Sequence, residues 1–183
     1  MKSLYFLVFI TIASFNLSAQ QAEKVKWYTL DEALKLNATA PRKILIDTYT
    51  DWCGWCKKMD AETFDHPVIA AYVNKNFYAV KFDAESSAPV QFAGHTFTNQ
   101  GSGGSRKTTH QFVIALAQSA GLTQVSFPSI VYLTGDMKLI GMIPGFYTAD
   151  NIEPLLHYIV NEKFMSISLE DYQKTFVSEL KKK

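Results

Sequence analysis

The segment "KILIDTYTDWCGWCKKMDAETF" joins three patterns in one short stretch. Residues 43–50 are mainly apolar and β-branched, which predicts a strand buried on both faces. The chain's two cysteines, Cys53 and Cys56, follow directly, and good helix formers come next. Cys53 is therefore expected at or just before a helix N-terminus, where unsatisfied N–H groups and the helix dipole favour negative charge. The thiolate is the attacking species in disulfide exchange. That makes Cys53 the candidate nucleophile and Cys56, one turn further in, the resolving thiol. Lys57 and Lys58 add positive charge nearby. A bridge across two residues closes a tiny loop and removes little chain entropy, so it suits opening and closing better than stapling a fold.

The rest of the chain supplies strands and helices in alternation. A helix is expected around residues 30–36, with Asp31 and Glu32 in its first turn, and a second central strand over residues 77–84. Pro67 opens a helix between the two strands. "THQFVIALAQSAGL" reads as a helix stopped at Gly121, and "FPSIVYLTGDMKLIGMIPGF" as a hairpin turning at Gly135-Asp136. Asp150 is expected to cap a helix running to Val160, with Glu153 three residues on and Pro154 in the first turn. Leu169, Tyr172, Phe176 and Leu180 recur at helical spacing, which predicts a last helix over 166–183. This order predicts an α/β protein with a central mixed sheet flanked by helices.

Two segments stand apart. Residues 1–19 carry Lys2, a short apolar run and then small residues ending at Ala19, the layout of a secretory signal peptide. The apolar run is shorter than the roughly 20 residues needed to span a bilayer. The expected mature domain is 20–183, in an oxidising exported compartment and without stable membrane insertion. Residues 85–108 hold four glycines and few consecutive apolar residues. They are expected to form a flexible insertion with a small hairpin at Ala93-Gly94. A net charge of +1 gives no support for nucleic acid as a partner.

With these residues in place, the chain resembles the thioredoxin superfamily, and within it exported bacterial thioredoxin-like proteins with a WCGWC motif. The family's usual motif is Trp-Cys-Gly-Pro-Cys, so Trp55 stands where proline is usual. The resemblance implies a thioredoxin fold with the insertion ahead of the cis-proline strand and an extra C-terminal helix. It makes Asp47 the buried aspartate beneath the dithiol, a proton-transfer group for Cys56, with Lys81 facing it. Phe127-Pro128 becomes the cis-proline dipeptide opposite the sulfurs, where a partner chain pairs. Trp52 covers the dithiol, and Trp55 joins the docking surface.

The function expected is exported, periplasmic thiol–disulfide exchange with protein thiols and disulfides, slightly favouring the reductive direction. It implies no cofactor beyond the Cys53–Cys56 couple, and a membrane or exported electron-exchange partner. Two rivals remain on the residues. One is a thioredoxin-fold binding or assembly module whose redox activity is secondary. The other is a zinc site completed by His66, His95 or His110.

Overall fold

The computed structural model describes residues 23–101 and 108–180. The expected signal peptide, the tip of the 85–108 insertion and the last three lysines lie outside the described residues. At the centre is strand β2 (Lys43–Tyr49), whose Ile44, Leu45 and Ile46 are all fully buried. Five strands form the main sheet, in the order β1 (Trp27–Tyr28), β3 (Phe77–Asp83), β2, β6 (Ser129–Leu133), β7 (Leu139–Pro144). β1 and β2 run parallel to β3, whereas β6 and β7 are antiparallel to their neighbours. The mixed sheet expected from the sequence is present, with one short edge strand, β1, added.

Helices cover both faces, and the period of two along β2 sorts the core between them. Leu45 packs in a cluster with Met59 and Phe64, with Ile69 and Val73 of α3 (Pro67–Asn76), and with Leu155, Leu156 and Ile159 of α5 (Ala149–Val160). Ile44 and Ile46 point the other way. They meet Leu30 and Ala33 of α1 (Leu30–Thr39), and Phe112, Val113 and Leu116 of α4 (Gln111–Ser119). Asp47 alternates with Ile46 and so shares the face of Leu45. α1 is fixed at its start by a capping box: Glu32 N–H donates to Thr29 Oγ1, and Thr29 N–H to Glu32 Oε2. No helix among the described residues is long and apolar enough to cross a membrane.

Three local expectations are corrected. Thr148, not Asp150, is the N-cap residue of α5, and Pro154 falls in the second turn, where it removes one helical hydrogen bond. Glu153 does not close a capping box. It is buried and accepts from Ser178 Oγ at 2.5 Å and Glu179 N–H at 2.6 Å. The last helix, α6, spans only Leu169–Thr175, and Phe176 is extended. The Glu153 carboxylate holds residues 178–179 against α5, and Phe176 packs on the His157 ring.

Within the insertion, β4 (Val90–Phe92) and β5 (His95–Phe97) form a two-stranded ribbon. Ala93 and Gly94 both take positive φ in its turn. Phe92 and Phe97 pack on Phe112. Asn99 Nδ2 donates to Thr108 C=O at 2.8 Å, closing the base of the excursion. The small hairpin expected at Ala93-Gly94 is present, packed on α4 through Phe92 and Phe97.

Candidate functional site

The chain leaves β2 at Tyr49, turns through Asp51-Trp52 and enters α2 (Gly54–Met59) with Cys53 as its N-cap residue. Cys53 Sγ accepts from Cys56 N–H at 3.0 Å, the capping contact that elsewhere a serine or aspartate oxygen makes. Cys53 and Cys56 form a disulfide. Both are buried, with 4% and 1% of their surface exposed. α2 passes without a break into a π-helical turn, Asp60–Phe64.

Asp47 is wholly buried on the sheet face that α2 covers, opposite Lys81 in the β2–β3 register. Lys81 Nζ donates to Asp47 Oδ2 at 2.5 Å. It also bonds Asp60 Oδ1, which the sequence reading did not single out. Asp47 Oδ1 has no hydrogen-bond partner among the described residues. Burial pushes the Asp47 carboxyl up to about 6 against the pull of Lys81, with a smaller upward push from Asp60. Lys81 is held above its ordinary value by the same two carboxylates, burial acting in the opposite direction. The ammonium lies 5.0 Å from the Trp27 ring centroid and 5.1 Å from that of Tyr49.

Around the disulfide the surface is aromatic. Trp52 and Trp55 are 66% and 58% exposed, unusual for such large apolar rings. Trp52 donates from Nε1 to Glu85 Oε1 at 2.9 Å and meets Phe127 edge-on at 6.4 Å. Trp55 leans on Phe146 at 5.4 Å, and Lys58 Nζ sits over both rings. The Phe127–Pro128 peptide is cis. A cleft of about 300 Å³ runs between Trp55, Ser126, Phe127, Pro128, Gly145 and Phe146. Gly145 N–H donates to Pro128 C=O at 2.8 Å and ties the two walls together. Among the described residues the Phe127 N–H and C=O have no hydrogen-bond partner.

The structure therefore brings Trp52, Trp55, Phe127 and Pro128 to one surface, with the Cys53–Cys56 pair buried at the start of α2, between the two tryptophans in sequence, and Asp47 and Lys81 within the fold on the α2 side of the sheet. Asp60, Glu85 and Phe146 are the additions. Asp60 was visible as the residue four after Cys56, one turn along the same helix. Phe146 had no signal beyond its place after the second hairpin strand. The histidines proposed as zinc ligands do not gather. His110 Nδ1 accepts from Phe112 N–H at 3.0 Å and Nε2 bonds Ala88 C=O at 3.1 Å. The described residues contain no group of three or more His, Cys, Asp or Glu able to hold a metal ion.

A mixed α/β sheet with a disulfide-bonded cysteine pair at the start of a helix, and a cis-proline at the head of β6, defines a thioredoxin-like fold. The chain belongs to the thioredoxin-like domain family, whose model matches residues 30–160. Solved structures agree on the fold. A thioredoxin from Thermus thermophilus is 16% identical, with a TM-score of 0.51 over 74% of this chain and 87% of its own. A thioredoxin-fold protein from Helicobacter pylori is 17% identical, with a TM-score of 0.53 over 73% and 83%. A structure described as that of a disulphide-isomerase candidate from Bacteroides thetaiotaomicron is 21% identical, with a TM-score of 0.51 over 81% and 99%. No curated protein gives a significant match to the sequence.

Proposed function

We propose that the protein is an exported thiol–disulfide oxidoreductase that reduces disulfides of protein partners. One observation carries this reading: the buried Cys53–Cys56 pair opens α2 beside a cleft rimmed by exposed aromatic rings and by the Phe127 backbone, which has no hydrogen-bond partner among the described residues. In the reduced protein the Cys53 thiolate accepts the Cys56 N–H and the positive end of the helix. It attacks one sulfur of the partner disulfide, forming a mixed disulfide and releasing a partner thiolate. Asp47 takes the Cys56 proton, and the Cys56 thiolate attacks Cys53 Sγ. The second partner thiolate leaves and the Cys53–Cys56 bond closes. Two electrons have passed to the partner, and a dithiol donor, exported or membrane-bound, restores the reduced pair.

The reductive direction is supported by Asp47. A carboxyl at about 6 is mostly ionised at neutral pH and ready to receive a proton when the dithiol is spent. The partner chain docks as an extended segment along the Phe127 backbone, against Trp55 and Phe146. The cysteine couple serves as its own cofactor. Export and a periplasmic site rest on residues 1–19 alone.

Equilibration of the chain from Gln20 onward with glutathione buffers, reading the dithiol fraction, tests the proposal. Potentials in this fold span roughly 150 mV. A value at the reducing end is expected. A value at the oxidising end would make the protein a disulfide donor. Absence of any reversible couple would favour a binding module, for which the two exposed tryptophans already provide the surface.

A further inference from the structure

One ammonium, Lys81, serves two carboxylates that differ in every other respect. Asp47 is wholly buried, and one of its oxygens has no hydrogen-bond partner among the described residues. Asp60 has 42% of its side chain exposed and stands on the helix that carries the cysteines. Its own N–H donates to the Cys56 and Lys57 carbonyls, so it is joined to the resolving cysteine through one helical turn. At this residue the α-helix gives way to the π-helical turn Asp60–Phe64, a distortion that in helices concentrates at functional sites. Lys81 is held between the Trp27 and Tyr49 rings and lines an open cavity of about 390 Å³ with Tyr49 and Asp83. The chain Cys56–Asp60–Lys81–Asp47 thus runs from the disulfide to the buried carboxylate and touches solvent at Asp60 and Lys81.

We propose that Asp60 is a positioning residue for disulfide exchange: by sharing Lys81 with Asp47 it sets how tightly the buried carboxylate holds the Cys56 proton. The inference rests on the oxidoreductase reading and concerns the regulation of the same site. A single ammonium neutralises one carboxylate, so with both ionised the trio carries a net negative charge. The member that protonates first is the one deprived of water, Asp47. Were Asp60 uncharged, Lys81 would belong to Asp47 alone. The repulsion would vanish and the attraction would strengthen, both favouring the ionised form. Other groups near the trio do not replace Asp60 in this: Asp83, which lines the same cavity, accepts the Glu85 N–H at 2.9 Å. Tyr49, on β2, and Tyr132, on β6, both have hydroxyls raised above their ordinary values by burial, and they stay neutral throughout the working range. Trp27, from β1, contributes only its ring.

The test is a carbon-13 NMR titration of the Asp47 carboxyl in the full oxidised chain, comparing wild type with Asp60→Asn and Asp60→Glu. Asp60→Asn is expected to lower the Asp47 midpoint by roughly one pH unit, and Asp60→Glu to return most of it. The acid limb of the pH profile for protein-disulfide reduction moves in the same direction and by a similar amount. An Asp47 midpoint unmoved by Asp60→Asn in a folded protein would overturn the inference, whatever the exchange rates. Asp60→Ser repeats the measurement should the asparagine variant fail to fold. Failure of the oxidoreductase reading would show separately, as wild-type protein without exchange but with a normal titration.

Discussion

Asp47 and Lys81 lie directly opposite each other in the parallel pairing of β2 and β3, and their side chains meet at 2.5 Å. The pair is unequal: Asp47 is sealed from solvent, while Lys81 keeps a fifth of its side chain exposed and holds a second carboxylate. Desolvation of Asp47 outweighs the attraction of its partner, and the carboxyl rises from 3.8 to about 6. In that interval the folded chain binds a proton that the unfolded chain releases. The raised value therefore contributes stability that is complete below pH 3.8 and is lost as pH rises through about 6. At about pH 8 the ionised group costs on the order of 3 kcal/mol relative to an unperturbed carboxylate.

Asp47→Asn is accordingly expected to stabilise the oxidised protein by about 1–3 kcal/mol near pH 8 and to lose that gain near pH 4. The gain falls short of the full cost because Lys81 surrenders one partner, although it retains Asp60. Urea unfolding at the two pH values reads the difference. Equal effects at both would show that Asp47 is ionised throughout. The same variant should slow disulfide reduction, since asparagine cannot take the Cys56 proton.

The order of attack follows from the cap. Cys53 Sγ accepts the Cys56 N–H, whereas Cys56 lies within the first helical turn. Cys56→Ser leaves the attacking thiolate without a resolving partner and is expected to accumulate mixed disulfides, visible as reducible bands on a non-reducing gel. Cys53→Ser should accumulate almost none. Equal trapping by both variants would remove the assignment of roles.

How much of this was legible in the chain depends on whether a feature is local. The strand, dithiol and helix of 43–59 announce themselves because each is a pattern in neighbouring residues, whereas the role of the Phe127-Pro128 dipeptide came only with the family resemblance. Asp60 is different. Its contact with Lys81 arises only when β3 carries that lysine beneath α2, bringing together residues 21 apart in sequence. The C-terminal segment failed for a similar reason: helical spacing continues to Leu180, but the buried Glu153 carboxylate binds the backbone at 179. The packing of the 90–97 hairpin was not legible, because the aromatic cluster of Phe92, Phe97 and Phe112 comes from three separate elements.

The Trp55 ring forms one wall of the cleft against Phe146. An aromatic wall of this kind contributes about 1 kcal/mol to holding an apolar side chain of a partner. Trp55→Ala should therefore raise KM for a peptide disulfide roughly fivefold with kcat little changed, the signature of lost binding. Steady-state kinetics separate the two constants. A fall in kcat with KM unmoved would place Trp55 in the chemistry instead.

His110 fastens the insertion to the body of the fold. Its ring is buried, caps α4 through Nδ1, and bonds the Ala88 carbonyl through Nε2. One nitrogen must accept while the other donates, so the ring is held neutral in a single tautomer. Burial lowers its proton affinity, partly offset by the Ala88 carbonyl. For a histidine depressed in the folded state, the unfolded chain takes up the proton first as pH falls. The stability is present above the unfolded value of 6.5 and is lost progressively below it. His110→Asn keeps a capping side chain but cannot gain a charge. Its unfolding free energy should thus be lower than wild type at neutral pH and decline less steeply between about pH 6.5 and 5. Denaturation curves of the two proteins across that interval decide the matter: identical slopes would mean that His110 takes no part in the acid response.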